Sequence, residues 1–366
     1  MILRTRTLIY FVFSIAILSL NVGRLSHAEV NRFPLKVFSD VGYLYDNPSS
    51  TDSFRVGGLN LFLSSTIDKK TSFLVELVFQ PKVQSVDVDL ERTYAQYVIG
   101  TWLKVSAGLL HTAFGFWNDT YHHGRYLYTP ANRPYMERME FEGGILPIHT
   151  AGVELRGNGL VGHSNLLYAL DIGNGRGPVK NPPSMMRSYS RTKAFNLLLA
   201  AEFENGLRLG GNAYRSDMPG GYQPASDGTA LAGGLAIGPK GTEYIGGLHL
   251  VYNSSLFEIL NEYARVLHTY SDGNPATHIN LLYSQFGVHL ASFTPYFRFD
   301  WGTLDRPDAY LKAYTGSLNQ SLDGHLQYYT LGTRYELSSW SALKAEGTAS
   351  SDPGAWAGTL NWSFAW

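Results

Sequence analysis

The chain closes on an eleven-residue alternation, Trp356 to Trp366. Trp356, Gly358, Leu360, Trp362, Phe364 and Trp366 share one face; Ala357, Thr359, Asn361, Ser363 and Ala365 share the other. A two-residue period is that of a β-strand with one apolar and one small or polar face. An aromatic face of this bulk on a terminal strand fits an exterior made of lipid. Trp362, Phe364 and Trp366 are therefore expected to act as the assembly signal through which the barrel-assembly machinery takes up the chain. Elsewhere no stretch approaches the roughly 18 continuous apolar residues of a helical span. Whatever holds this chain in a membrane must be β.

The other end carries an export pattern. Arg4 and Arg6 precede an uncharged run of 13 residues, Leu8 to Leu20, followed by Ser26-His27-Ala28. A charged start, a short apolar core and small residues two apart read as a secretory signal peptide, residues 1–28, removed after Ala28. Residues 29–366 then form a single barrel domain. The chain has no cysteine, which excludes disulfides and a cysteine-borne lipid anchor. Beyond residue 28 it carries 26 basic and 30 acidic residues, so there is no electrostatic footprint for nucleic acid. Its 38 glycines and 24 tyrosines suit many strands whose ends lie in membrane interfaces.

Sixteen alternating segments can be traced: 36–45, 55–67, 72–80, 88–99, 103–115, 150–157, 165–172, 193–203, 207–215, 243–252, 256–267, 278–290, 293–301, 325–337, 342–349 and 355–366. Their connectors sort by length. Turns such as 68–70, 253–255 and 338–341 are short, whereas 116–149, 173–192, 216–242 and 302–324 are long. Short turns on one rim and long loops on the other predict an all-β fold, a transmembrane antiparallel β-barrel of sixteen strands in the bacterial outer membrane, in contact with outer-membrane lipids. An even count leaves no unpaired edge in lipid. Sixteen strands also enclose a lumen too wide for wall side chains to fill. The first strand begins within ten residues of the expected cleavage site, which leaves no room for an N-terminal plug.

The third long connector, Phe116–His149, spans 34 residues and is expected to constrict the lumen. Arg125, Arg133 and Arg138 would form a basic side; Asp119, Glu137, Glu140 and Glu142 an acidic one. Opposed charges across a channel sort solutes by charge and dipole. Trp117, Tyr121, Tyr126 and Tyr128 would wedge the loop against the wall or offer sugars a sliding surface. On the strands, inward positions carry Glu76, Arg92, Lys104, Glu154, Arg156, Arg298, Asp300, Arg334, Glu336, Lys344 and Glu346. Glu76, Arg92, Lys104, Arg156 and Arg298 are the pore-wall candidates; Arg92 and Lys104 sit on strands flanking the long loop. The bland alternative for most of them is a salt-bridged wall without selectivity.

Other patterns are set aside. Gly173-Asn174-Gly175-Arg176-Gly177 has the look of a phosphate loop but is followed by Pro178, Pro182 and Pro183 instead of a helix. His122-His123, with His111 and His149 nearby, lack a carboxylate at helical spacing, so no metal is expected. No spacing singles out a catalytic triad; neither an enzyme nor a cofactor is expected.

Leu90-Glu91-Arg92-Thr93-Tyr94-Ala95-Gln96-Tyr97, then Leu103-Lys104-Val105-Ser106-Ala107-Gly108, then His111-Thr112-Ala113-Phe114-Gly115 resemble the phosphate-selective porin O and P family over roughly residues 85–160. The resemblance implies a sixteen-stranded barrel, usually a homotrimer, with its third loop folded into the lumen. It also implies an arginine ladder and a constriction lysine cluster. Residues 116–149 contain no lysine, so the family's strong anion preference is not carried over. The expected function is passive, size- and charge-limited diffusion of small hydrophilic solutes and ions. The competing expectations are a substrate-specific channel for phosphate or an oligosaccharide, and an enzyme or adhesin on a non-conducting barrel.

Overall fold

The computed structural model describes residues 35–366 except 48, 83, 122–123, 140–143, 176–192, 219–220, 224–234, 238–239, 312–324 and 352–353. The expected signal peptide, Glu140, Glu142, His122-His123 and the end of the Gly173–Gly177 run lie outside the described residues.

The first strands are β1 (Leu35–Asp46), β2 (Thr51–Val56), β3 (Leu59–Thr66), β4 (Thr71–Pro81), β5 (Val86–Gly100), β6 (Leu103–His111) and β7 (His149–Val161). β8 (Ser164–Asn174), β9 (Lys193–Phe203) and β10 (Leu207–Met218) continue the sheet. A small separate hairpin, β11 (Gly221–Gln223) and β12 (Leu235–Ile237), follows. The sheet resumes with β13 (Gly241–Asn253), β14 (Phe257–Tyr270), β15 (Thr277–Val288) and β16 (Phe293–Leu304). It ends with β17 (His325–Ser338), β18 (Ser341–Ser350) and β19 (Trp356–Ala365). Every neighbouring pair is antiparallel, and β1 closes on β19 from Phe38↔Ala365 to Asp46↔Ala357. β2 and β3 both pair with β1 as two segments of one stave. With β11–β12 outside the wall, the barrel has sixteen staves. Closure satisfies the backbone of every stave, which a span in hydrocarbon requires.

The residues that alternate in sequence alternate in space. On β19, Trp362 and Trp366 are exposed on the outside while Asn361 and Ser363 are buried inside. Leu248 and Leu331 on β13 and β17 are 65% and 68% exposed, an outer face suited to lipid. Trp102 and Trp340 sit in short turns on the rim where the termini meet, and both are exposed. Such rings favour the headgroup level.

Among the boundaries that differ from the periodic reading, two bear on the lumen. The second stave, continuous in the alternation, breaks at Gly57-Gly58. There the Asp40 carboxylate takes the space of a side chain: a Cβ on Gly57 would lie 2.1 Å from Asp40 Oδ1. β6, the fifth stave, ends at His111 instead of Gly115, so the third loop is 112–148. Its first residues leave the sheet because side chains on distant staves capture their backbone.

Candidate permeation site

The described residues of the third loop pack against inward-facing side chains of the barrel wall. The loop's first residues are held by polar side chains that alternation turns inward. Asp171 Oδ2 on β8 accepts the Ala113 N–H at 2.8 Å, and Asn196 and Asn212 donate to the Ala113 carbonyl at 2.9 and 2.6 Å. The Glu262 carboxylate on β14 accepts the N–H groups of Phe116 and Trp117 at 2.7 and 2.8 Å, at the start of a short helix, Trp117–Tyr121. Asn118 Nδ2 donates to the carbonyls of Thr112 and Ile148, tying the loop's two ends together. Trp117, fully buried, packs against Tyr121, Tyr128 and Tyr283.

Further along, the wall on β14–β18 binds the loop through its main chain. Lys344 Nζ donates to the carbonyls of Arg125, Tyr128 and Pro130, the last at 2.9 Å. Arg334 donates to those of Tyr126 and Tyr128, and Arg298 to that of Asn132 at 2.9 Å. Carboxylates take the N–H groups: Glu346 from Ala131 and Asn132, Asp300 from Tyr135 at 2.7 Å. Cations thus meet carbonyls and anions meet amides, each a charge-assisted bond. Beneath the loop, inward Ile245, Val251, Leu260, Val266, Ile279 and Leu281 form one apolar cluster with Trp117, Tyr128, Tyr135 and Met136.

The other side of the loop faces the β1–β4 wall. A cavity of about 550 Å³ is lined by Asp40, Val56, Gly58, Asn60, Val78, Gln80 and Pro81 from β1–β4. Its other side is the loop: Gly124, Arg125, Tyr128, Asn132, Arg133, Arg138 and Met139. Arg125 Nε lies 3.5 Å from Asp40 Oδ2 and its Nη1 donates to the Ala131 carbonyl at 2.9 Å. Arg138 sits over the Tyr135 ring, 4.4 Å from its centroid.

The two described acids of the loop point elsewhere. Asp119 is buried against Arg156 at 2.7 Å and Arg208 at 3.2 Å. Burial pushes its carboxyl up, but the two guanidiniums outweigh that and hold it below the usual carboxylate range. Glu137 is buried, and its Oε1 has no hydrogen-bond partner among the described residues. Burial first and neighbouring Glu262 second raise its carboxyl well above the usual range, with Arg133 opposing.

Of the five wall candidates, Arg156 and Arg298 touch the loop. Glu76 and Arg92 pair with each other at 2.7 Å on adjacent strands, Arg92 lying over the Phe62 ring. Lys104 faces Arg156 in register near the short-turn rim. The anchors Asp171, Asn196, Asn212 and Glu262, with Glu258, which accepts the Thr129 hydroxyl at 2.9 Å, and the cavity residues Asp40 and Asn60, were not among the sequence candidates. Their sole signal is the inward phase of their strands. His111 and His149, register partners at the two ends of the loop, come together with Glu91 of β5.

No family description and no curated protein sequence matches the chain. Solved structures do. OmpT of Vibrio cholerae, an outer membrane protein described in a trimer form, superposes with a TM-score of 0.60 at 10% identity, covering 92% of this chain and 100% of that one. The anion-selective porin of Comamonas acidovorans gives 0.59 at 10% identity, with the same coverage. The outer membrane channel DcaP of Acinetobacter baumannii gives 0.56 at 12%, covering 93% and 99%. The fold is that of the outer-membrane porins. A closed barrel of this kind, with an apolar outer face, resides in the bacterial outer membrane. At these identities the likeness concerns the fold, and the resemblance to the phosphate-selective family finds no separate support.

Proposed function

We propose that the protein is a passive outer-membrane channel for small hydrophilic solutes and that its constriction favours anions. The observation that carries this reading is the cavity between the third loop and the β1–β4 wall. Three guanidiniums, Arg125, Arg133 and Arg138, border it, against one described carboxylate, Asp40. The loop's two described acids, Asp119 and Glu137, are withdrawn into contacts away from it. A solute crossing here meets water and fixed positive charge; no chemistry is required of the protein. The anion-selective Comamonas porin shows that the fold accommodates such a preference. Phosphate-sized anions are within this reading; a saturable phosphate or oligosaccharide site is a separate property that ligand-dependent current block would reveal.

In the same reading residues 1–28 direct export and are removed, and the barrel-assembly machinery takes up the chain through Trp362, Phe364 and Trp366. The barrels then associate as a homotrimer. The test is planar-bilayer conductance of refolded residues 29–366 in a salt gradient. Large ohmic steps, arriving in threes, with an anion-side reversal potential are expected. Silence from verified folded protein overturns the channel and brings an enzyme or adhesin forward.

A further inference from the structure

We infer that Glu91, His111 and His149 form a binding site for a zinc-class divalent metal ion that clasps the neck of the third loop. The placement follows from the strands. His111 is the last residue of β6 and His149 the first of β7, and the two are register partners. The third loop, residues 112–148, leaves and rejoins the sheet between them. Glu91 arrives from the third strand by a bulge. On β5, Arg92 pairs with Glu76 and Leu90 with Leu77, leaving Glu91 as the inserted residue. A bulge re-aims a side chain that regular pleating would commit elsewhere. Here it brings a carboxylate against two imidazoles.

The geometry is that of a ligand set. One donor atom from each residue lies within 4.8 Å of the other two. Glu91 Oε1 contacts His149 Nε2 and lies 3.9 Å from His111 Nε2. The imidazole rings stand edge to face with centroids 5.6 Å apart. Around a tetrahedral zinc ion with arms of about 2.0–2.1 Å, ligand atoms sit about 3.3 Å apart, so small side-chain rotations suffice to admit one. Two imidazole nitrogens and one carboxylate oxygen suit zinc and leave a fourth position for water. The carboxylate is 3% exposed, so its charge has little water to rely on. An ion there, held by Glu91 and both imidazoles, bridges three strands at the point where the loop departs and returns.

The site stands apart from the conduction reading, so each can fail without the other. The test uses tag-free full-length protein extracted from outer membranes, stripped with a chelator and titrated with Zn²⁺ by calorimetry and with Co²⁺ by visible absorption. One equivalent per chain, with the intense absorption of tetrahedral Co²⁺, is expected. His111→Gln and His149→Gln should each weaken binding more than about a hundredfold, since losing a ligand costs at least as much as losing its support. His122→Gln/His123→Gln should leave it unchanged. Retained heat-modifiable mobility shows that each variant is folded. If a variant does not fold, the native titration decides: no bound equivalent overturns the site. So does binding that survives both His111→Gln and His149→Gln, or that follows His122 and His123 instead.

Discussion

Neutralising the loop's arginines should invert the channel's charge preference, and the structure sets the size of the effect. Three guanidiniums and the Asp40 carboxylate border the cavity, a net of two positive charges among the described residues. A unit charge about 6 Å from a passing ion contributes roughly 0.7 kcal/mol in water. Screening at 0.1 M salt reduces that to about 0.4 kcal/mol. Two net charges then favour an anion by about 0.8 kcal/mol and oppose a cation equally, a roughly fifteenfold permeability ratio. Arg133→Gln/Arg138→Gln leaves Arg125 balanced by Asp40 and should bring the ratio to about one by the same arithmetic. Adding Arg125→Gln leaves Asp40 alone, favouring cations by roughly fourfold. The assay is the reversal potential across a bilayer in a tenfold salt gradient, read for the native channel, the double variant and the triple variant. Arg125 also holds the Ala131 carbonyl, which is why the double variant is read first. A reversal potential that stays constant along this series removes the three arginines from the conduction path and refutes the reasoning.

Three other perturbations have defined outcomes. Lys344→Ala removes the donor to three loop carbonyls, each costing about 1–3 kcal/mol if left buried and unmade; the loop should detach instead, seen as larger, noisier single-channel steps from a barrel of unchanged heat-modifiable mobility. The Glu137 carboxyl, raised by burial and then by Glu262, is protonated in the folded loop at pH values where it would ionise in water. Its contribution to loop docking is therefore present in acid and lost as pH rises through its folded pKa, so current noise should grow with pH in the native channel and become flat in Glu137→Gln. Gly57→Val drives a side chain into the Asp40 carboxylate and should lower the barrel's thermal midpoint and weaken the Asn361–Asp40 hydrogen bond across the closing seam, now 2.8 Å.

The barrel was legible because its stave pattern is local. Each stave repeats an outward apolar and inward polar residue, and each short turn interrupts it, as at Asp68–Lys70, where Asp68 Oδ1 accepts the Lys70 and Thr71 amides. What escaped the sequence is long-range. Thr112 to Gly115 continue β6's alternation, and side chains on other strands, Asp171, Asn196, Asn212 and Glu262, turn the backbone inward after His111. Gly57-Gly58 interrupts a stave whose alternation runs through it, because the cause is Asp40 on the neighbouring strand. In the loop itself, charge order carries no phase. Nothing local distinguishes Asp119, which is buried under two arginines, from Arg138, which borders the cavity. The Glu91 bulge is likewise invisible until Glu76 and Arg92 are seen to pair.

Anchoring and selectivity use the same residue types here, and position separates their roles. A loop folded into a wide lumen brings its amides and carbonyls against a wall, where each unmade hydrogen bond is costly. A neutral wall could meet few of them at once. Lys344 and Arg334 each reach more than one carbonyl, and the Glu262 and Glu346 carboxylates each accept more than one N–H. Those charges are of both signs and lie in opposed pairs, Arg298 with Asp300 and Arg334 with Glu336, so their fields across the cavity largely cancel. The loop's own arginines, held by a backbone anchored on the far side, are the ones presented to the remaining space. It follows that substituting wall charges on β14–β18 should change how the channel gates, and substituting Arg125, Arg133 or Arg138 should change what it passes. A wall substitution that altered selectivity while leaving gating untouched would contradict that division.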